Sequence, residues 1–453
     1  MDAFSMLRSP RPSFMRSLCE VGQLLAIPCN KEQLISSFQC DSRLIRKGDL
    51  FFALKGAKTD GHDFLEDVAK SGAIAAVVSE QYSGCDFGLT LFRMSNVLTA
   101  MHTLAHHVYK SSRAKVIAIT GSLGKSTTKE FIATMLEAKF RIVKTLGNVN
   151  SQTGVPLTLL NAEETPELFV LEMGMSQKGE MRRLVDIAPP SIAVITYIAP
   201  AHVAAFPEGL DGIAAEKAEI LGSSCTKLGV IHESASHFPT VVEKKTTLWT
   251  YGSKEENRFR IEELPQEQTW RIWEGDVPTP PFSLAGLPSH YAHNVLGAAI
   301  VARAMAFSWE EIFARLPFLQ TLPKRFERIE REGVLFINDA YNANSVSVRA
   351  ALAHLPPTSG KKIAVLGSMP ELGRYSKACH EEVARVAREC VDILLCLGEE
   401  CTPMVALFHE RQKPVEIFFD LSSLKKRVFA LAKSGDVVLI KGGNVHKLWE
   451  ILA

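Results

Sequence analysis

Seven consecutive residues carry the clearest chemistry in this sequence: Gly121-Ser122-Leu123-Gly124-Lys125-Ser126-Thr127. The glycines permit positive φ and let backbone N–H groups come close to an anion. Lys125 brings a cation to terminal phosphates, and Ser126 offers a hydroxyl to Mg2+. Such a loop works where a strand leads in and a helix leads out, the helix adding the positive end of its dipole. Both are present in the pattern. Val116 to Ile119 is the apolar run of a strand covered on both faces. Phe131, Ile132, Met135, Leu136 and Phe140 recur at helical spacing. Gly121, Ser122, Gly124, Lys125, Ser126 and Thr127 therefore read as a nucleotide-phosphate cradle; the bland alternative is a glycine turn with a solvated lysine. The general phosphate loop would have its first glycine where Ile119 stands, which leaves a shorter T-G-x-x-G-K-S-T pattern.

Other polar residues follow apolar runs. In an α/β sheet, ligands sit beyond the carboxyl ends of the strands. Glu172, after Leu168 to Leu171, is a suitable hard oxygen ligand for Mg2+ beside Ser126 and phosphates. His202, past the run Ile192 to Ile195, is expected at the same edge as the phosphate loop, although a lone histidine after Pro-Ala by itself reads as a loop residue. Lys217, in a helical run, reads as a solvated lysine. Asn294 opens an apolar helix and is either its cap or a reader of adenine, since a carboxamide offers a donor and an acceptor side by side. Asp339, Tyr341, Asn342 and Asn344 crowd the end of the run Val334 to Ile337, as polar residues of a site do. Arg43, in Asp41-Ser42-Arg43, carries a planar fork that suits a pyrophosphate, although alone it reads as a surface arginine.

The elements that must position these residues fall into three α/β domains, expected at 1–110, 111–322 and 323–453. The first has strands at Leu50 to Leu54, Ala73 to Val78 and Leu89 to Met94. The second is the phosphate-loop domain, a mostly parallel sheet with an antiparallel excursion over Thr247 to Trp273. The third alternates strands and helices in a doubly wound, Rossmann-like pattern, without the G-x-G-x-x-G of a nicotinamide site. A chain of 453 residues needs more than one core. A content of 46% hydrophobic and 22% charged residues fits folded, water-soluble domains, and a formal net charge of +1 gives no case for nucleic acid or an anionic membrane. Nine scattered cysteines without metal-ligand spacing read as reduced thiols. With no apolar run fit for a signal or a membrane span, a cytoplasmic protein is expected.

The loop resembles the ATP site of the Mur ligase family, and the text downstream keeps that resemblance over essentially the whole chain. Gly147-Asn148-Val149-Asn150, Glu172-Met-Gly174, Pro200-Ala-His202, Lys217-Ala-Glu219-Ile220, His293-Asn294, Tyr341-Asn342-Ala343-Asn344 and Glu371-Leu372-Gly373 occur in the order of the dipeptide-adding members. The resemblance implies an ATP- and Mg2+-dependent ligase that joins D-alanyl-D-alanine to UDP-N-acetylmuramoyl-tripeptide through an acyl phosphate, acting as a monomer. It assigns Ser42, Arg43, Lys55 and His62 to the UDP end of the substrate. It places Asn148, Asn150, Asn342, Asn344 and Glu371 on the peptide substrates, and Asn294, Arg325, Asp339 and Tyr341 on ATP. Ser126, Glu172, His202 and Lys217 become metal-site groups, with Lys217 carbamylated by CO2, and Lys125, His202 and Lys217 take catalytic roles. Tyr197 stands where Asn is common, Ser345 where Pro is common, and Lys441-Gly442-Gly443-Asn444 where K-G-S-R is common, so the usual arginine for a dipeptide carboxylate is absent. The rival readings are a Mur-type ligase that adds a single amino acid, against which the YNAN and MPELG stretches speak, and a phosphate-loop switch that would hydrolyse ATP without a dipeptide.

Overall fold

The structure is a computed structural model and describes the chain except residues 1–16, 57, 148, 163–164, 201–202, 411 and the side chain of 204. His202 and Asn148 thus lie outside the described residues. Among the described residues, the strands form three sheets of four, nine and six strands in chain order. The first holds Phe38–Gln39, Leu50–Phe52, Ala75–Ser79 and Thr90–Met94, all parallel. The helix Val97–Ser112, capped by Asn96 through the Thr99 N–H, leads from this sheet to the central one.

The nine-stranded sheet runs Val277–Pro278, Thr269–Glu274, Phe259–Leu264, Thr247–Gly252, Leu228–His232, Ile192–Ile195, Lys115–Thr120, Leu168–Glu172, Ile142–Lys144. Lys115–Thr120 lies between the strands that end at Glu172 and Ile195, so the loop after it opens at a carboxyl edge with neighbours on both sides. The expected antiparallel excursion begins later than Thr247. Thr247–Gly252 pairs in parallel with Leu228–His232 and Phe259–Leu264 pairs in parallel with Thr247–Gly252, so antiparallel pairing begins only with Thr269–Glu274. The connection after His232 passes through the helix Pro239–Val242, which makes it a crossover rather than a hairpin.

The six-stranded sheet runs Glu327–Arg331, Val334–Asn338, Val437–Lys441, Lys362–Gly367, Ile393–Leu397, Val415–Phe418, parallel apart from the first pair. Glu327–Arg331 escapes the sequence reading because it is an edge strand of mostly charged residues.

Alternation along the central strand links these sheets into two cores. Ile117 and Ile119 face one side, where the helices Lys125–Leu136 and Ala292–Ala304 pack and the apolar cluster continues into Ile337 and Leu366 of the last sheet and Val383 of the helix Ser376–Cys390. Val116 and Ala118 face the other, where the cluster runs back through Leu157 and Leu104 to Phe38 and Leu18.

Candidate active site

The phosphate loop has the backbone its glycines foretell. Gly121 has φ +148° and Gly124, the residue before the helix Lys125–Leu136, has φ +78°. A Cβ on Gly121 would lie 1.9 Å from Thr196 Oγ1, and one on Gly124 would lie 2.4 Å from Asn294 Nδ2, so no larger residue fits either position. The loop is held from the next strand end: the Ser122 N–H donates to Tyr197 O at 2.7 Å and the Ser122 hydroxyl to Ala199 O at 2.8 Å. Tyr197, where the family commonly has Asn, thus holds the loop with its backbone. Its ring meets His232 at 4.9 Å.

Three charged side chains converge there. Lys125 Nζ donates to Gly121 O at 2.8 Å, and Lys217 Nζ, from the helix Leu210–Ala218, donates to the same oxygen at 3.1 Å. Lys217 is only 2% exposed, so it is no solvated helix lysine. Burial, then the neighbouring Lys125 ammonium, hold its pKa well below the ordinary lysine value, despite Glu216 and Glu172. Burial lowers Lys125 as well, with Arg325 adding to the effect and Glu172 opposing it. Glu172 ends the strand Leu168–Glu172 at 1% exposure; its Oε1 accepts from Asn150 Nδ2 at 2.6 Å, while its buried Oε2 has no hydrogen-bond partner among the described residues.

The last sheet reaches the loop through Arg325, whose Nη2 donates to Ser126 Oγ at 2.9 Å and whose guanidinium lies 4.0 Å from the centre of the Tyr341 ring. Burial pushes the Tyr341 phenol up to about 12. Asp339 Oδ1 accepts from the Phe326 N–H at 3.1 Å, and Oδ2 pairs with Lys441 at 2.7 Å. Lys441 also donates to Asn342 O at 3.0 Å, which closes the turn around Tyr341.

The site therefore gathers Gly121, Gly124, Lys125, Ser126, Asn150, Glu172, Lys217, Asn294, Arg325 and Tyr341. Thr127 is buried beneath the loop in the first helical turn. Some expectations need correction. Asn294 is not a helix cap, since Tyr291 holds that position; its Nδ2 donates to Gly124 O at 3.3 Å and Thr128 Oγ1 at 3.0 Å, tying its amide to the loop. Asn344 is a cap: its side chain accepts from the Ser347 N–H at 2.9 Å and starts the helix Ser345–Ala353, so that oxygen is engaged within the fold. Lys125 is half-buried at the first helical position rather than exposed in a loop.

The residues assigned to the UDP end lie apart, at the carboxyl edge of the first sheet. Arg43 is highly exposed and its fork meets Asp41, Nε to Oδ1 at 2.8 Å and Nη2 to Oδ2 at 2.5 Å. That contact holds the Asp41 carboxyl below its usual value. Ser42 begins the short turn that Asp41 caps. Lys55 is bridged to Asp60 in the backbone, and His62 Nε2 accepts from the Ser79 N–H at 2.9 Å while Nδ1 meets Asp60 at 2.6 Å. Both ring nitrogens of His62 thus brace its loop. Glu371 lies on the loop after Lys362–Gly367 at φ +63°, a conformation that strains a residue other than glycine.

Two groups were not foreseen. Ser234 N–H donates to His232 Nδ1 at 3.0 Å, so His232 carries its proton on Nε2 and donates to His293 Nδ1 at 2.8 Å; His293 then donates from Nε2 to Ser253 Oγ at 2.9 Å. Burial takes His232 down to about 3. Lys129, wholly buried on the phosphate-loop helix, is the other. The H-N pair hinted at His293, but the helical spacing says nothing of its partner.

A divalent ion of the Mg2+ kind fits here. Glu172 Oε2 is an orphaned, buried, hard oxygen beside the Ser126 hydroxyl's loop, and among the described residues no cluster of three His, Cys, Asp or Glu offers a protein-only cage. That combination suits an ion that draws most of its oxygens from phosphates and water.

Fold and site together define a phosphate-loop α/β protein of three sheets, with the loop's neighbours supplied by both the central and the last sheet. The chain matches the Mur ligase family, catalytic domain over residues 34–109, the Mur ligase middle domain over 119–302, and the Mur ligase, glutamate ligase domain over 324–444. It belongs to the Mur ligase family. A Bacillus subtilis (strain 168) protein named UDP-N-acetylmuramoyl-tripeptide--D-alanyl-D-alanine ligase is 31% identical over 436 residues, 94% of each chain. The Escherichia coli (strain K12) protein of the same name is 30% identical, covering 91% of this chain and 92% of its own. Among solved structures, MurF from Acinetobacter baumannii superposes with a TM-score of 0.84 at 25% identity, over 98% of this chain and 99% of that one. MurF ligase from Thermotoga maritima in complex with ADP gives 0.78 at 28% identity, over 92% and 96%.

Proposed function

We propose that this chain is an ATP-dependent ligase that adds D-alanyl-D-alanine to UDP-N-acetylmuramoyl-tripeptide, giving the pentapeptide precursor of peptidoglycan, ADP and phosphate in the cytoplasm. The observation that carries this reading is the likeness to relatives of that name over more than nine-tenths of the chain, with every described motif of the phosphate site in place. The chain works as a monomer, with units 1–110, 111–322 and 323–453 for the UDP end, ATP and the dipeptide.

In water, joining a carboxylate to an amine is uphill. The tripeptide's terminal carboxylate oxygen attacks the γ-phosphorus, the bond to the β-bridging oxygen breaks, and ADP leaves. The dipeptide amine then attacks the acyl carbon, phosphate departs and the amine loses a proton. Lys125 and Arg325 would face the charge that moves from γ-phosphate to leaving oxygen, beside the N-terminal end of the helix Lys125–Leu136. Glu172 and Ser126 would hold Mg2+, which supplies further neutralisation of phosphate charge. Asn150 keeps the Glu172 carboxylate turned so that Oε2 stays available. Arg43 would exchange Asp41 for the substrate pyrophosphate. Arg325 and Tyr341 close over the loop and keep water from the acyl phosphate.

Lys217 fits a carbamate. Its depressed pKa raises the share of neutral amine, whose lone pair bonds to the carbon of CO2 with release of one proton. The buried cation then becomes an anion facing Lys125. The reading is tested by phosphate release against a panel of UDP-muramoyl peptides, each with and without D-alanyl-D-alanine. Release that needs both the tripeptide and the dipeptide supports it, and release indifferent to the dipeptide refutes it.

A further inference from the structure

Lys129 is 0% exposed and reaches Thr145 and Gly147 rather than the loop at 121–124. It lies one turn after Lys125 on the helix Lys125–Leu136, and its three ammonium protons are all accounted for. One goes to Thr145 O, one to Gly147 O at 3.3 Å, and one to Glu130 Oε1 at 2.8 Å. Burial alone would raise the Glu130 carboxyl, but Lys129 and Lys144 outweigh it and hold the group below its ordinary value. Burying a charge is expensive unless close pairing and hydrogen bonds offset the lost water, and these three contacts do so for Lys129.

Those partners lead to Glu172. Thr145, also wholly buried, accepts the Glu172 N–H on its Oγ1 at 2.8 Å. The same loop carries Asn150, whose amide donates to Glu172 Oε1 at 2.6 Å. Both ends of Glu172, backbone and carboxylate, are therefore held, by Thr145 and Asn150. Through Thr145 O and Gly147 O, Lys129 fastens the start of that stretch to the helix that presents Lys125 and Ser126.

We infer that Lys129 is a positioning residue that sets the Glu172 carboxylate in register with the phosphate loop, so that metal and nucleotide phosphates are bound as one unit. The inference rests on the proposed metal role of Glu172. Groups that orient a metal ligand typically change metal affinity 10- to 100-fold when lost. Lys129 should act through Mg2+ and not through the nucleotide alone.

The test is calorimetric binding of ADP over a Mg2+ series and in EDTA, with no turnover. Lys129→Met is paired with Glu130→Gln so that no carboxylate is left short of its partner. The double variant should need at least about tenfold more Mg2+ for half-maximal enhancement of ADP binding. Its ADP affinity in EDTA should stay within about threefold of wild type. Thr145→Val, which deletes only the hydroxyl that receives the Glu172 N–H, should shift the Mg2+ requirement in the same direction and keeps the question open to measurement if the first variant does not fold. A lowered melting temperature with an unchanged Mg2+ requirement in either variant overturns the inference and leaves Lys129 a structural lysine. Glu172→Gln is the control. If it too leaves the Mg2+ requirement unchanged, the metal reading of Glu172 is what fails, and the inference falls with it.

Discussion

Lys217→Met separates a residue kept for chemistry from one kept for the fold. The ammonium is 2% exposed and, among the described residues, has one hydrogen bond, to a carbonyl that Lys125 also occupies. Folding therefore strips water from a cation and sets it near another. Because the folded pKa lies below the unfolded one, protons favour the unfolded chain, and this residue's contribution to stability rises with pH toward the ordinary lysine value of about 10.4. The slope is at most about 1.4 kcal/mol per pH unit. Methionine has a similar length and no charge to desolvate. In CO2-depleted buffer at pH 7 the variant should be as stable as wild type or more stable, by about 1 to 3 kcal/mol, and the difference should shrink at pH 9. Turnover should nevertheless fall by at least about 100-fold, a loss of about 2.7 kcal/mol of transition-state stabilisation. Short carboxylates in the buffer should restore part of it in Lys217→Ala, where there is room for them. Denaturant unfolding at both pH values and a phosphate-release assay make the measurement. Turnover within a few-fold of wild type would refute the catalytic reading, and destabilisation by more than about 2 kcal/mol would mark Lys217 as structural.

Lys125→Ala should abolish ligation and leave circular dichroism unchanged, because among the described residues its one hydrogen bond, to Gly121 O, is shared with Lys217; ligation near the wild-type rate would dismiss the phosphate reading of the loop. Arg43→Ala should raise KM for the UDP-peptide and spare KM for ATP, and the reverse split would mean the two ends of the substrate have been misassigned. Below pH 6.5 the unfolded chain takes up a proton that folded His232 refuses until about pH 3, so stability is lost as pH falls through that window. For this one residue the loss between pH 6.5 and 5 is about 2 kcal/mol, and unfolding curves of His232→Asn should be correspondingly flatter with pH. Solution scattering with an ATP analogue and UDP-peptide together should show compaction; an unchanged radius of gyration would favour a preformed cleft.

The two junctions in the chain differ in kind. Between the first and central sheets, Asn161 acts as a strand in miniature: its Oδ1 accepts the Phe38 N–H and its Nδ2 donates to Phe38 O, both at 2.9 Å and both buried. Apolar clusters cross both junctions, and here the Asn161 pair adds a backbone-like tie between the first sheet and the domain of the phosphate loop. Between the central and last sheets the chain passes through Lys324 at φ +62° and Phe326 at φ +53°, left-handed conformations for residues with side chains. The residue between them is Arg325, the one that reaches Ser126. Hinges are a few residues that absorb a change of φ and ψ, and Lys324 and Phe326 stand at the junction to do so, so compaction on binding is expected to come from the last domain.

How far the sequence could be read follows from the range of each interaction. The phosphate loop was legible because its parts are contiguous: a strand, two glycines and a helix start within about ten residues, each with its own local signal. The strands Leu168–Glu172 and Ile192–Ile195 fall where their apolar runs predict, since both faces are covered. Thr247–Gly252 was misjudged because alternation reports one solvated face and not the direction of the neighbour. The same limit governs the site. Glu172 stood out as an acid after a buried strand, but the groups that hold it, Thr145 and Asn150, are distant by more than twenty residues. Lys129 was invisible for a further reason. A lysine beside a glutamate in a helix has the same pattern whether it lies in water or in the core, and only the loop packed over it, brought in by a separate strand, decides which.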